Sequence, residues 1–271
     1  MNSTAALVDT LKSEDQDFEF YPTTPQMAEA VAAKLHSLFE YSSISLLDIG
    51  AGDGRTMTRI NEGVTRLAEL HNHGRGGIDH MYAIEKSQIL RNLLPDDAFV
   101  VGTDFHEQTL IDKQVDAVFC NPPYSEWAAW SERIILEANA KHLFLVIPRR
   151  WADGEKINRA LARRKCKAVT LMSADFEDAE RQARAKADVL WIDLTGANLD
   201  EECVRHRWHK EGPAVDPFDL WFDEHFPVNE KPEDNDRDEN GRPKEPPSPT
   251  ERVKDQLVKG RNHIDALVEL Y

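Results

Sequence analysis

Apolar and polar positions alternate along this chain in two rhythms. Short apolar runs rich in β-branched residues predict strands at 45–49, 81–84, 98–101, 117–120, 142–147, 168–172 and 189–194. Longer spacers with helix-like patterning predict helices over 24–39, 56–72, 86–94, 127–139 and 155–164. Thr23 or Thr24 can cap the first of these, and Pro25 suits its first turn. Strand and helix in turn are the mark of an α/β fold: seven strands in one mostly parallel sheet with helices on both faces.

The alternation stops after residue 194, so 1–194 reads as one domain. Residues 195–227 hold Trp208, Phe218, Trp221, Phe222 and Phe226 among polar neighbours, which suggests a small aromatic appendage. Residues 228–250 are rich in Pro, Glu and Asp and read as a disordered linker. In 251–271, Val253, Leu257, Ile264, Leu267, Val268 and Tyr271 recur at near-helical spacing. That pattern fits an amphipathic helix docking on its own domain or on a partner. No internal repeat is visible.

Composition narrows the picture. At 271 residues there is room for one full α/β domain and little more. No run approaches the roughly 18 apolar residues of a membrane span, and the first residues lack a signal-like pattern, so the expected location is the cytoplasm. Cys120, Cys166 and Cys203 show no CxxC spacing, so neither a disulfide framework nor a metal site is expected. A formal charge of −16 disfavours a grip on nucleic acid by overall attraction. Within it lies a basic run, Arg149, Arg150, Lys156, Arg159, Arg163, Arg164, Lys165 and Lys167, broken only by Asp153 and Glu155. Such a run can hold phosphates, or it can be a solvated helix face.

Two segments carry chemistry. The first strand runs into Asp48-Ile-Gly50-Ala-Gly52-Asp-Gly54, whose glycines allow backbone amides to approach a ligand closely. Glu85 ends the second strand and Asp104 follows the third, so three acids gather at the carboxyl edge of the sheet, where they can accept hydrogen bonds from ribose hydroxyls and an adenine amino group. The second segment, Asn121-Pro122-Pro123-Tyr124, follows the fourth strand. It offers an amide oxygen, two rigid prolines and an aromatic face to a planar amino group.

The acid followed by GxGxG resembles the first motif of class I S-adenosylmethionine-dependent methyltransferases. The Asn-Pro-Pro-Tyr after the fourth strand resembles the branch of that group that methylates amino groups. The resemblance covers residues 18–195 and implies a Rossmann-like methyltransferase fold, with 1–194 as catalytic domain and S-adenosyl-L-methionine as cofactor. It places Asp48, Gly50, Gly52 and Gly54 around the methionine portion, Glu85 on the ribose, and Asp104 with Phe105 on the adenine. Upstream, Phe18-Glu-Phe-Tyr21-Pro22-Thr23-Thr24-Pro25 resembles the segment that closes over the methionine end in DNA adenine methyltransferases, making Tyr21, Pro22, Thr23 and Thr24 cofactor contacts.

The same resemblance implies that Asn121 and the Pro122 carbonyl accept the two N–H groups of an exocyclic amine, with Asn121 also beside the cofactor. Tyr124 would stack on the base. Arg149, Arg150, Arg163 and Arg164 would meet phosphates and Trp151 a flipped base. The implied activity is transfer of a methyl group to N6 of adenine in DNA, as an orphan or phage- or plasmid-type modification enzyme or part of a restriction-modification system. Residues 195–271 are too short and acidic for an ordinary target-recognition domain, which implies limited sequence specificity. RNA adenine and protein glutamine methylation are the alternatives, although the short stretch before the first strand leaves little room for the helical substrate domain usual in the latter. An acidic binding or regulatory protein on a methyltransferase fold is the rival of another class; its tail would contact a partner or its own cleft.

Overall fold

A computed structural model describes residues 4–39, 43–71, 77–176, 180–181, 183–195 and 215–225. Among them the chain forms helix α1 (Thr4–Ser13), α2 (Pro25–Leu38), strand β1 (Ser43–Ile49), α3 (Arg55–Leu70), β2 (Gly77–Ile84), α4 (Gln88–Arg91), β3 (Ala98–Gly102) and β4 (Val115–Cys120). It continues with α5 (Trp127–Glu137), β5 (Ala140–Pro148), α6 (Glu155–Arg164), β6 (Ala168–Phe176), β7 (Ala183–Asp193) and α7 (Pro217–His225). Every strand and helix expected between residues 24 and 194 is present, most with shifted ends. Two helices were not anticipated, α1 and α7.

The seven strands form one sheet in the order β3-β2-β1-β4-β5-β7-β6. The first five are parallel, while β7 runs antiparallel to both β5 and β6. Chain length explains the reversal: the stretch between Phe176 and Ala183 is too short for the dozen or so residues of a parallel crossover. Because helices cover both faces, central strands are apolar throughout instead of alternating with polar residues. On one face Leu46, Phe119 and Phe144 pack with Met27, Val31 and Leu35 of α2 and Met57 and Ile60 of α3. On the other, Leu47, Val118, Leu143 and Leu145 pack with Trp130 and Ile134 of α5 and Ile157 and Leu161 of α6.

Local chemistry sets the boundaries. Thr24 caps α2, its hydroxyl accepting from the Met27 amide at 3.4 Å, and Pro25 occupies the first turn. Helix α4 shrinks to one turn, capped by Ser87, with Pro95 a few residues on. Strands β6 and β7 run further than their apolar residues do, because backbone pairing continues through Ser173↔Asp188 and Asp175↔Lys186.

The sheet lies in the first of two units, Met1–Pro217 and Phe218–Tyr271. Helix α7 falls within the expected aromatic appendage; along it Phe218 meets Trp221 and Phe222, and Trp221 stacks on His225 at 4.7 Å. The expected linker at 228–250 and helix at 251–271 lie outside the described residues. Among the described residues no helix is long and apolar enough to cross a membrane.

Candidate functional site

The turn between β1 and α3 needs its glycines for conformation and for space. Gly50, Gly52 and Gly54 all adopt left-handed φ, +76°, +60° and +79°. A Cβ on Gly54 would stand 2.4 Å from Pro95 Cδ, and one on Gly52 would stand 2.6 Å from the Phe20 ring. The loop is thus pressed between the turn after α4 and the segment that precedes α2.

Beneath it two carboxylates meet. Asp48 is 1% exposed and Glu85 7%. Glu85 accepts the Gly52 amide through Oε2 at 2.7 Å and the Ser87 amide through Oε1 at 2.8 Å. Asp48 Oδ1 is buried with no hydrogen-bond partner. Burial, reinforced by the charge of Glu85, lifts the Asp48 carboxyl well above its ordinary range. Burial also raises Glu85, against the pull of the Ser87 and Gly52 amides and of Arg91. Two carboxylates this dry, one with an orphan oxygen, favour a cationic ligand group.

Asp104 lies at the rim. It pairs with Lys86 Nζ at 2.8 Å and accepts the His106 amide at 2.9 Å, and these contacts hold its carboxyl below the usual range. Beside it Phe105 is buried against Trp130, ring centroids 4.2 Å apart, with the Arg133 guanidinium 4.7 Å from its ring. Glu126 accepts the Trp130 indole N–H at 2.9 Å and lies 3.0 Å from His106 Nε2.

The Asn121 amide is fixed at the end of β4. Its Nδ2 donates to the Tyr21 carbonyl at 2.9 Å and to Thr23 Oγ1 at 3.2 Å. A carbonyl only accepts, so the NH₂ must face Tyr21 and Oδ1 must face away. A few residues on, Glu19 takes the Ser125 amide at 3.0 Å and its hydroxyl as well.

These elements enclose a cavity of about 290 Å³. Of the residues expected to bind the cofactor or substrate amine it gathers Tyr21, Pro22, Thr23, Asp48, Gly50, Gly52, Glu85, Asp104, Phe105, Asn121 and Pro123. Thr24 and Gly54 shape its walls from outside, as the cap of α2 and the first residue ahead of α3. Pro122 is buried, and Tyr124 is exposed with the Arg150 guanidinium 5.6 Å from its ring.

The basic run divides. Arg164 is 2% exposed, and its guanidinium donates to the carbonyls of Leu136 and Ala138 at 3.0 and 3.3 Å; the expected phosphate contact is incorrect for this residue. It ties the end of α6 to the end of α5. Trp151 is no free wedge either, because its indole N–H donates to Asp188 at 2.9 Å and its ring packs on the core. Arg149 pairs with the same Asp188 at 3.4 Å, Arg159 and Lys156 face Glu132 at 2.6 and 3.8 Å, and Arg163 is exposed on α6.

Among the contributors that sequence reasoning missed are Glu19, Ser87, Trp130 and Arg181. Glu19 lies inside a quoted motif and Ser87 two residues after Glu85, so both had a positional signal. Arg181, between β6 and β7, had none.

No protein-family model matches the chain, and no curated protein matches it by sequence. Solved structures do. A Listeria monocytogenes protein assigned to the class I S-adenosylmethionine-dependent methyltransferases superposes with a TM-score of 0.51 at 15% identity, over 72% of this chain and 67% of that one. The 23S rRNA methyltransferase ErmE gives 0.49 at 12% identity, over 74% of each chain. A dimethyladenosine transferase from Plasmodium falciparum gives 0.49 at 11%, over 64% of this chain and 63% of that one. The first likeness establishes a Rossmann-like α/β fold shared with class I methyltransferases.

Proposed function

We propose that this chain is an S-adenosylmethionine-dependent methyltransferase, acting in the cytoplasm on the exocyclic N6 of adenine in DNA. One observation carries the reading. In a single cavity, an amide whose NH₂ is already committed to the protein turns its oxygen outward beside a glycine loop and an orphan buried carboxylate.

The residues fit the cofactor. Asp48 and Glu85 supply the negative environment that an ammonium or sulfonium needs, the Gly50–Gly54 turn admits a close ligand, and the lone pairs left on Glu85 suit ribose hydroxyls. Asp104 keeps acceptor capacity beside Lys86, and Phe105 lies beside it for a purine. When bound, the cofactor supplies an electrophilic methyl group with a neutral thioether as leaving group.

The chain's own groups act on the nucleophile. An amine conjugated to a purine is poor because its lone pair is drawn into the ring. Asn121 Oδ1 and the Pro122 carbonyl accept its two N–H groups, which shifts the nitrogen toward tetrahedral character. Tyr124, exposed next to the cavity-lining Pro123, stacks on the base. Arg150, at the end of β5, faces the flanking phosphates, while Arg149 is held by Asp188.

RNA is the second reading, and one observation favours it. Much of the basic run is occupied by Glu132, Asp188 and buried carbonyls, which leaves little charge to grip a long duplex. The test is labelled S-adenosylmethionine with duplex DNA, single-stranded DNA, RNA and protein extract in parallel, followed by nucleoside and amino-acid mass analysis. N6-methyladenine from DNA is the expected product; label confined to RNA or protein replaces the substrate, and no label in any arm removes the reading.

A further inference from the structure

We propose that Arg181, lying outside the cavity, is a positioning residue for the Asn121 amide and acts through the segment Asp17–Thr23, with Glu19 as a second anchor. The proposal rests on Asn121 as the group that meets the substrate amine.

Asn121 presents chemically opposite ends, and rotation of its amide by half a turn would offer N–H to N–H. Its correct orientation is dictated by the Tyr21 carbonyl and the Thr23 hydroxyl. These groups belong to a segment that forms no helix or strand between Ser13 and Pro25, so something else must hold it. Arg181 does so three ways. Its guanidinium takes both oxygens of Asp17 at 2.6 and 2.9 Å, donates to the Phe20 carbonyl at 2.6 Å, and stands 4.1 Å from the Tyr21 ring. A planar fork can satisfy these partners at once, which a lysine ammonium cannot.

Glu19 anchors the other side, bridging to the Ser125 amide and hydroxyl just past the Asn-Pro-Pro-Tyr turn. Within this segment Phe18 and Glu19 sit at φ 38° and 58°, a left-handed backbone that side chains rarely adopt and that persists only where the surroundings impose it. The amide is therefore aimed by a segment held by two clamps, Arg181 at Asp17 and Phe20, and Glu19 on Ser125, the first reaching from the β6–β7 connection. Arg181 does not line the cavity. Its removal deletes no wall of the cofactor site, yet it frees the carbonyl that orients Asn121.

The experiment compares wild type with Arg181→Ala, Arg181→Lys and the exchanged pair Asp17→Arg/Arg181→Asp. It records kcat and KM for methyl transfer, cofactor affinity by calorimetry, and exchange of the Asn121 side-chain amide protons by NMR. Arg181→Ala should lower kcat by about tenfold to a hundredfold, the scale of a small misplacement of a reacting group. Cofactor affinity should stay within about threefold and the Asn121 protons should exchange faster. Lys should fall between, and the exchanged pair should recover part of the loss. Should the Ala variant fail to fold, Lys keeps the cation and carries the same comparison. Unchanged kcat, a loss of kcat matched by an equal loss of cofactor affinity, or unaltered Asn121 exchange would each overturn the proposal. Wild-type protein inactive on every substrate would instead remove the proposed reaction, and the Asn121 exchange would still decide whether Arg181 holds the amide.

Discussion

At the scale of single residues, three side chains have different tasks. Asn121 is held so that one atom remains for a ligand, and Asn121→Ala should cut methyl transfer by at least about a hundredfold while calorimetry finds cofactor binding intact. Asp48 is held at a cost. Its proton is retained longer in the folded chain than in the unfolded one, so the native state binds more protons and stability falls as pH rises from about 3.8 through the raised value. Asp48→Asn should therefore melt higher than wild type at neutral pH, with the gain shrinking as pH falls toward 4 in thermal scans. The same variant should bind the cofactor more weakly, which is the usual conflict between stability and function. Arg164 is structural: Arg164→Ala leaves two helix-end carbonyls without donors and should cost about 3 kcal/mol in denaturant unfolding. Its effect on nucleic-acid affinity should be nil.

At the scale of elements, the glycine turn and the segment before α2 form one unit. The Phe20 ring lies against Gly52, so the segment that orients Asn121 also rests on the loop that lines the cavity. Gly54→Ala should destabilise the domain by about 2–4 kcal/mol, because a left-handed φ and a collision with Pro95 both oppose it. Chemical unfolding measures this directly. Most of these elements were legible. Continuous apolar runs gave the central strands because both sheet faces are covered, and Thr24-Pro25 gave the start of α2. Helix α1 was not legible, since only Val8 and Leu11 of its ten residues are buried and no apolar stripe stands out.

At the scale of the whole molecule, charge decides what the cleft can meet. A chain of net charge −16 cannot rely on general attraction, and several basic residues beside the cleft already serve internal acids. On the proposed reading, contacts with phosphate fall chiefly to Arg150, because Arg149 already pairs with Asp188. Replacing Arg150 with Ala should weaken binding to all sequences alike and lower the slope of log affinity against log salt by about 1. A titration across salt concentrations tests this; sequence-selective loss would move Arg150 to base recognition.

The sequence by itself determined the strands, the order of strand and helix, the glycine turn and the three acids, because periodicity and local backbone demand are written within a few neighbouring residues. It also singled out Asn121 as the candidate group to meet an amine. Only the tertiary structure decided what those groups touch. Glu85 turned out to spend an oxygen on Gly52 and another on Ser87, Arg164 to be buried where a surface role was expected, and Arg181 to clamp Asp17, more than 150 residues away along the chain. Such contacts depend on which strand lies beside which, and on a reversed strand that brings the β6–β7 connection to the segment before α2. No local pattern encodes that distance.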